Sequence, residues 1–127
     1  MNQLIIQDCD IGEVIEWGTP KSDEKIRDFW NYMATPWRIV KKNKYIPDTI
    51  LIDGRFRVAS FLISLLSARQ DAIILFDDYS IRPEYFVVEE FCKIIDKREY
   101  MVAFSVSHNY DISVICEKIA QYSVIQK

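Results

Sequence analysis

Glycine is scarce in this chain. Its 127 residues include three, Gly12, Gly18 and Gly54. None stands in a G-x-G-x-x-G or G-x-x-x-x-G-K-[ST] arrangement, so no phosphate-cradling loop of the usual kind is present. The cysteines Cys9, Cys92 and Cys116 are far apart and form no C-x-x-C pair. That excludes the common zinc and redox motifs, and a scattered, odd set suits buried thiols in a reducing, cytoplasmic setting. The single histidine, His108, lies in the polar stretch Ser107-His108-Asn109 and reads as a loop residue before it reads as a catalytic base. No serine stands in a G-x-S-x-G context, which removes support for acyl transfer by a nucleophile elbow. The longest near-apolar stretch, Val58 to Leu66, is far shorter than the roughly 20 residues that span a bilayer. The first residues lack the basic start and apolar core of a signal peptide. With 16 Lys and Arg against 19 Asp and Glu, no excess of positive charge draws the chain to nucleic acid or to anionic membranes. The basic cluster Arg38, Lys41, Lys42, Lys44 reads as a local, solvated loop. Repeats and low-complexity segments are also absent.

What is there is apolar. Half of the chain is hydrophobic and 13% is aromatic. A chain of this length forms one domain, residues 1–127, and buries roughly two thirds of its unfolded surface. Leu4 to Gln7 reads as a short strand and Asp8 to Pro20 as a long loop. Ser22 is placed to cap a helix over Glu24 to Met33, with Ile26, Phe29, Trp30 and Met33 at helical spacing, and Thr35-Pro36 should stop it. Pro36 to Pro47 reads as irregular. Thr49 to Ile52 and Ala72 to Phe76 read as buried strands. Arg55 to Arg69, free of Pro and Gly, reads as a helix apolar on most faces, hence buried. Pro83 suits the first turn of another helix running to about Ile95. Glu99 to Val106 reads as a strand, and Asp111 as the cap of a last helix over Ile112 to Tyr122. This alternation of strands and helices predicts an α/β fold with a mostly parallel sheet flanked by helices.

Both central strands end in acid, at Asp53-Gly54 and at Asp77-Asp78. Ligands of open α/β sheets sit beyond the carboxyl ends of the strands, so these residues mark the candidate site. Converging carboxylates need compensation by a metal cation, by arginines or by a raised pKa. Hard oxygen ligands would favour Mg²⁺ or Ca²⁺; Asp53, Asp77 and Asp78 are the candidate ligands, with Asp53 and Asp77 as candidate acid–base groups. The alternative is that they are strand-end acids paired with Arg55, Arg57 or Arg82. Those arginines would either neutralise them or clamp a carboxylate or phosphate of a substrate. Tyr79, Trp17 and Trp37 fall in predicted loops near the crevice, where an aromatic ring stacks on a flat ligand or covers the core rim. Gly54 permits a tight turn or the close approach of a ligand.

The stretch Pro47-Asp48-Thr49-Ile50-Leu51-Ile52-Asp53-Gly54-Arg55-Phe56-Arg57-Val58-Ala59 resembles a later strand motif of class I S-adenosylmethionine-dependent methyltransferase-like proteins. Ile74 to Tyr79, with Arg82 and Tyr85, resembles the next strand and its loop. Asp10-Ile11-Gly12 with Trp17 to Pro20 resembles the segment upstream. The resemblance implies a Rossmann-like fold and, in the metal-dependent branch, Mg²⁺ held by Asp53, Asp77 and Asp78, with Asp78 standing where that branch has Asn. It also implies that the usual cofactor loop precedes the matched segment, so the chain corresponds to the later half of such a domain, truncated on its N-terminal side. Two functions follow. One is methyl transfer from S-adenosylmethionine to a small acidic or hydroxyl acceptor, with Arg55, Arg57, Tyr79 and Arg82 binding substrate. The other is a non-catalytic oligomeric or partner-binding module that kept the fold and lost the cofactor site. Either way an exposed sheet edge invites a homodimer or a partner chain.

Overall fold

A computed structural model describes residues 4–127. Its sheet has four strands, β1 (Thr49–Ile52), β2 (Ile73–Phe76), β3 (Ile94–Arg98) and β4 (Met101–Ser105), in the spatial order β1-β2-β4-β3. Three α-helices accompany it: α1 (Trp30–Lys42), α2 (Arg57–Ser67) and α3 (Ile112–Tyr122). The α/β class, the two acid-ended strands and the last two helices are as the sequence implies. Asp111 caps α3 through its carboxylate, which accepts from the backbone N–H groups of Ser113 and Val114.

The sheet itself is mixed. β1 and β2 pair in parallel, with Thr49 opposite Ile73 and Ile52 opposite Phe76, whereas β4 runs antiparallel to both β2 and β3. The third predicted strand is therefore present but reversed. The reason lies in the segment before it. No crossover helix reaches Ile95; a 3-10 helix over Pro83–Glu90 gives way to β3. The buried Tyr85, Val88 and Phe91 recur every third residue, the period of a 3-10 helix rather than an α-helix. β3 then turns into β4 through Glu99 in a left-handed conformation (φ 53°), and a hairpin forces the antiparallel direction.

The first helix is displaced. Ser22 accepts only a local hydrogen bond from the Glu24 N–H, and Ile26–Asp28 is a single 3-10 turn. α1 begins at Trp30 and passes through Pro36. Proline inside a helix removes one backbone hydrogen bond, at a cost of about 3 kcal/mol or more. Burial of Phe29 and Met33, together with Trp37 packed on the main core, offsets it. Arg38, Lys41 and Lys42 thus stand on a helix, the two lysines in its last turn, where the helix dipole favours positive charge. The expected strand at Leu4 to Gln7 is irregular chain without a sheet partner, and Leu4 and Ile6 are largely exposed.

One face of the sheet carries the core. Ile52, Ile74, Phe76, Val102 and Phe104 alternate inward against Phe61, Leu62 and Leu65 of α2 and Ile115 of α3. Phe61 stands edge-on to Phe104 at 4.8 Å. A smaller cluster of Ile11, Phe29, Met33, Phe56 and Ala59 joins α1 and the N-terminal loop to α2.

Candidate functional site

The turn from β1 into α2 builds the site. Gly54 lacks a side chain because the Tyr32 hydroxyl of α1 packs against it, and a Cβ there would collide with that oxygen. The same hydroxyl accepts the Arg55 N–H at 3.2 Å. The close approach foreseen at Gly54 is thus made by the chain's own tyrosine. Phe56 then adopts a left-handed conformation (φ 53°, ψ 43°) and inserts its ring into the smaller cluster. The N–H groups of Phe56 and Arg57 donate to the carbonyls of Gln126 and Lys127, each at 3.1 Å. The N-terminus of α2, an obvious place for an anion, is therefore closed by the segment after α3, a role that nothing in the sequence signalled.

The left-handed turn separates two arginines that sequence reasoning could not tell apart. Arg57 points inward and is 5% exposed. Its Nε donates to the Gly54 carbonyl (2.9 Å) and one terminal nitrogen to the Asp77 carbonyl (2.8 Å). The other lies 3.2 Å from Asp53, and the first is 3.8 Å from Asp78. The guanidinium also lies over the Tyr85 ring. It supplies the compensation that the strand-end acids require. By contrast, no described residue hydrogen-bonds or ion-pairs with the Arg55 guanidinium, and its Nε is buried without a partner.

Arg55 and Asp53 line a cavity of about 830 Å³ between the N-terminal loop, α1 and β1. That volume lies within the range of small-molecule sites. Tyr32, Trp37, Ser60 and Ser64 also line it, and the Trp37 indole N–H donates to the Ser64 hydroxyl at 3.3 Å. Trp37 thus reaches the site from α1 rather than from a loop, and Tyr32, Ser60 and Ser64 went unnoticed in the sequence because helical spacing alone gave them no role. At the rim, the Gly12 N–H and the neighbouring Lys25 ammonium hold the Asp10 carboxyl below the usual range.

The other candidates lie elsewhere. Asp77, Asp78 and Arg82 are outside this cavity. Tyr79 is 2% exposed, so it cannot stack on a ligand. Its ring packs on Phe76 and Phe104, and its hydroxyl donates to Glu89 at 2.6 Å. Burial, then the Glu89 carboxylate, pushes its pKa far above the ordinary tyrosine value. Trp17 is 86% exposed. His108 is structural: its Nε2 lies 2.8 Å from the Ala68 carbonyl, which requires the ring N–H to donate there. Among the described residues no group of three or more His, Cys, Asp and Glu is placed to hold a metal ion. Because Arg57 stands between Asp53 and Asp78, the aspartates do not fit a divalent cation. The described residues also present no glycine-rich cradle for a nucleoside cofactor.

The α/β architecture, a four-stranded mixed sheet flanked by helices, is shared with a solved methyltransferase-like protein. The comparison is direct. The chain is similar to a methyltransferase-like protein from Silicibacter pomeroyi DSS-3, known from a crystal structure at 1.80 Å resolution, with 32% sequence identity and a TM-score of 0.80. The match covers 91% of this chain and 58% of the neighbour, so the chain spans little more than half of that protein's length. No protein-family model and no curated protein matches it.

Proposed function

We propose that this chain is the acceptor side of a methyltransferase-like site, and that its cavity binds a small organic acid bearing a hydroxyl group. The observation that carries this reading is the Arg55 guanidinium, a cation without a partner among the described residues on the wall of a cavity of about 830 Å³. A buried donor left unpaired costs free energy, about 1–3 kcal/mol, and a ligand carboxylate relieves it. Guanidinium and carboxylate match in a two-bond geometry. Asp53, half exposed and on the same cavity, would accept the hydroxyl hydrogen of the bound acid and fix which oxygen faces the reacting side. Trp37 and Tyr32 supply aromatic walls for a flat acceptor. S-adenosylmethionine, when bound, would supply the methyl group. Three free thiols accord with a reducing, cytoplasmic setting.

The competing reading is a partner-binding module without catalysis. The commitment of Arg57 to the strand-end acids favours it. Thermal shift with a panel of hydroxybenzoates, benzoate, S-adenosylhomocysteine and Mg²⁺ separates the two. A ligand at 100 times its Kd stabilises by about 2.7 kcal/mol, which raises the Tm of a domain this size by roughly 10 °C. The acceptor reading expects a shift with hydroxybenzoates that exceeds the shift with benzoate. No shift with any aromatic acid at millimolar concentration would leave the module as the better account.

A further inference from the structure

Gly54 makes room for one oxygen. Its backbone lies outside the left-handed region, so its conformation does not call for glycine. The three atoms that a Cβ there would meet all belong to Tyr32, the hydroxyl oxygen first. With phenylalanine in place of Tyr32, the nearest ring atom would stand 3.5 Å away, an ordinary contact. The chain thus gives up a side chain at the carboxyl end of β1 to admit a hydroxyl group.

That hydroxyl is half used. A phenol accepts through its lone pairs and donates one proton. The Tyr32 oxygen accepts the Arg55 N–H at 3.2 Å, while among the described residues no group accepts its proton. Asp53, the adjacent carboxylate, is bonded by Arg57 instead. The Tyr32 ring is half-buried and packs on Phe56, centroids 5.4 Å apart, which holds the oxygen in place. A hydroxyl that accepts one hydrogen bond donates the next more strongly, because successive bonds polarise one another. The free proton therefore suits an anion.

Arg55 brings the second donor. Its backbone N–H anchors the Tyr32 hydroxyl, and its guanidinium carries a buried Nε without a partner. Tyr32, Asp53, Gly54 and Arg55 line the same cavity. Two unpaired donors at one turn match the two oxygens of a carboxylate, and hydrogen bonds to a charged acceptor are the strong ones.

We infer that the Tyr32 hydroxyl donates to the same carboxylate that Arg55 binds, and so makes the site select acids over their neutral analogues. The inference rests on the acceptor reading proposed above. It draws on the turn from β1 into α2.

The test is titration of the whole chain with a hydroxybenzoate and with the matching hydroxybenzyl alcohol, in which a neutral group replaces the carboxylate. Tyr32→Phe keeps the ring on Phe56. It should raise the hydroxybenzoate Kd about tenfold or more and leave the Kd of the alcohol within about twofold. Tyr32→Phe combined with Gly54→Ala, which fills the vacated space, should give the same pair of results. Equal weakening of both ligands would overturn the inference, because Tyr32 would then only shape the turn. So would an unchanged hydroxybenzoate Kd in Tyr32→Phe; if Arg55→Gln still weakens binding, the acceptor reading stands and this inference alone falls. A wild-type chain that binds no hydroxybenzoate at millimolar concentration would overturn both.

Discussion

Replacing Arg57 by methionine isolates what holds the β1–α2 turn together. The substitution keeps the apolar stem over Tyr85 and removes the guanidinium. Two backbone carbonyls, Gly54 and Asp77, lose donors at 2.9 and 2.8 Å. Each unsatisfied, partly buried acceptor costs about 1–3 kcal/mol, so together about 2–6 kcal/mol. The ion pairs add little. The Asp53 and Asp78 side chains are 52% and 39% exposed, and pairs this solvated are worth at most about 1 kcal/mol each. Arg57→Met should therefore cost about 3 kcal/mol or more in urea unfolding, with an unchanged m-value, whereas Asp53→Asn should cost less than about 1 kcal/mol. Arg57→Lys should fall between them, because one ammonium cannot reach both carbonyls in the planar geometry of a guanidinium. The reasoning is refuted if Asp53→Asn is as damaging as Arg57→Met, since the carboxylates would then be the partners that matter. It is also refuted if millimolar Mg²⁺ rescues Arg57→Met to wild-type stability, since the aspartates would then form a cation site after all.

Other perturbations probe other parts of the account. Gly54→Ala drives a methyl group into the Tyr32 hydroxyl and should cost about 1–3 kcal/mol, as overpacking does; Tyr32→Phe in the same background should recover most of it, measured by urea unfolding. At Asp111 the side-chain hydrogen bond from Ser113, then the Val114 and Ser113 N–H groups, lowers the carboxyl pKa from 3.8. A depressed folded pKa gives stability that is fully present above the unfolded value and is lost as pH falls through the folded one. Asp111→Asn keeps the cap geometry without the charge, so the Tm difference from wild type should be constant near neutrality, shrink as pH falls past 3.8 and vanish below the folded pKa. Burial raises the Cys92 pKa, and its thiol donates to the Ser105 carbonyl at 3.1 Å, whereas Cys116 is exposed. A thiol-reactive disulfide reagent with peptide mapping should label Cys116 quickly and Cys92 only on unfolding; rapid labelling of Cys92 would show that its end of the core opens readily.

The elements that were legible in the sequence are those whose local pattern and tertiary role agree. Ile50 to Ile52 and Ala72 to Phe76 are unbroken apolar runs bounded by polar residues, and they contain the parallel pair. Asp111 followed by Ile112, Ile115 and Ile119 writes its own cap and face. The missed elements are those where tertiary burial overrides a local signal. Pro36 marks an end, yet Met33 and Trp37 bury enough on either side to carry α1 through it. β3 is exposed throughout, so it has no alternation to read, and the hairpin that reverses β4 depends on a left-handed Glu99 that no glycine announces. The candidate site was legible as a place rather than as a set of residues. Asp53 and Arg55 stand on the cavity. Tyr79 is core, and Asp77, Asp78 and Arg82 lie apart. The division of labour between Arg55 and Arg57 hangs on one residue between them: Phe56 takes a left-handed turn so that its ring reaches Phe29 and Tyr32, and this sends one arginine to the cavity and the other to the carbonyls.

The central claim is that Arg55 is the anion-binding group of an acceptor cavity. Isothermal titration of the wild type, Arg55→Gln and Arg82→Gln with a hydroxybenzoate that gives a thermal shift tests it most directly. Loss of a charge-assisted hydrogen bond is worth about 1.5–3 kcal/mol, so Arg55→Gln should weaken binding by roughly 10- to 150-fold, with Arg82→Gln at the wild-type Kd. Equal affinity for wild type and Arg55→Gln would contradict the account, as would a loss confined to Arg82→Gln.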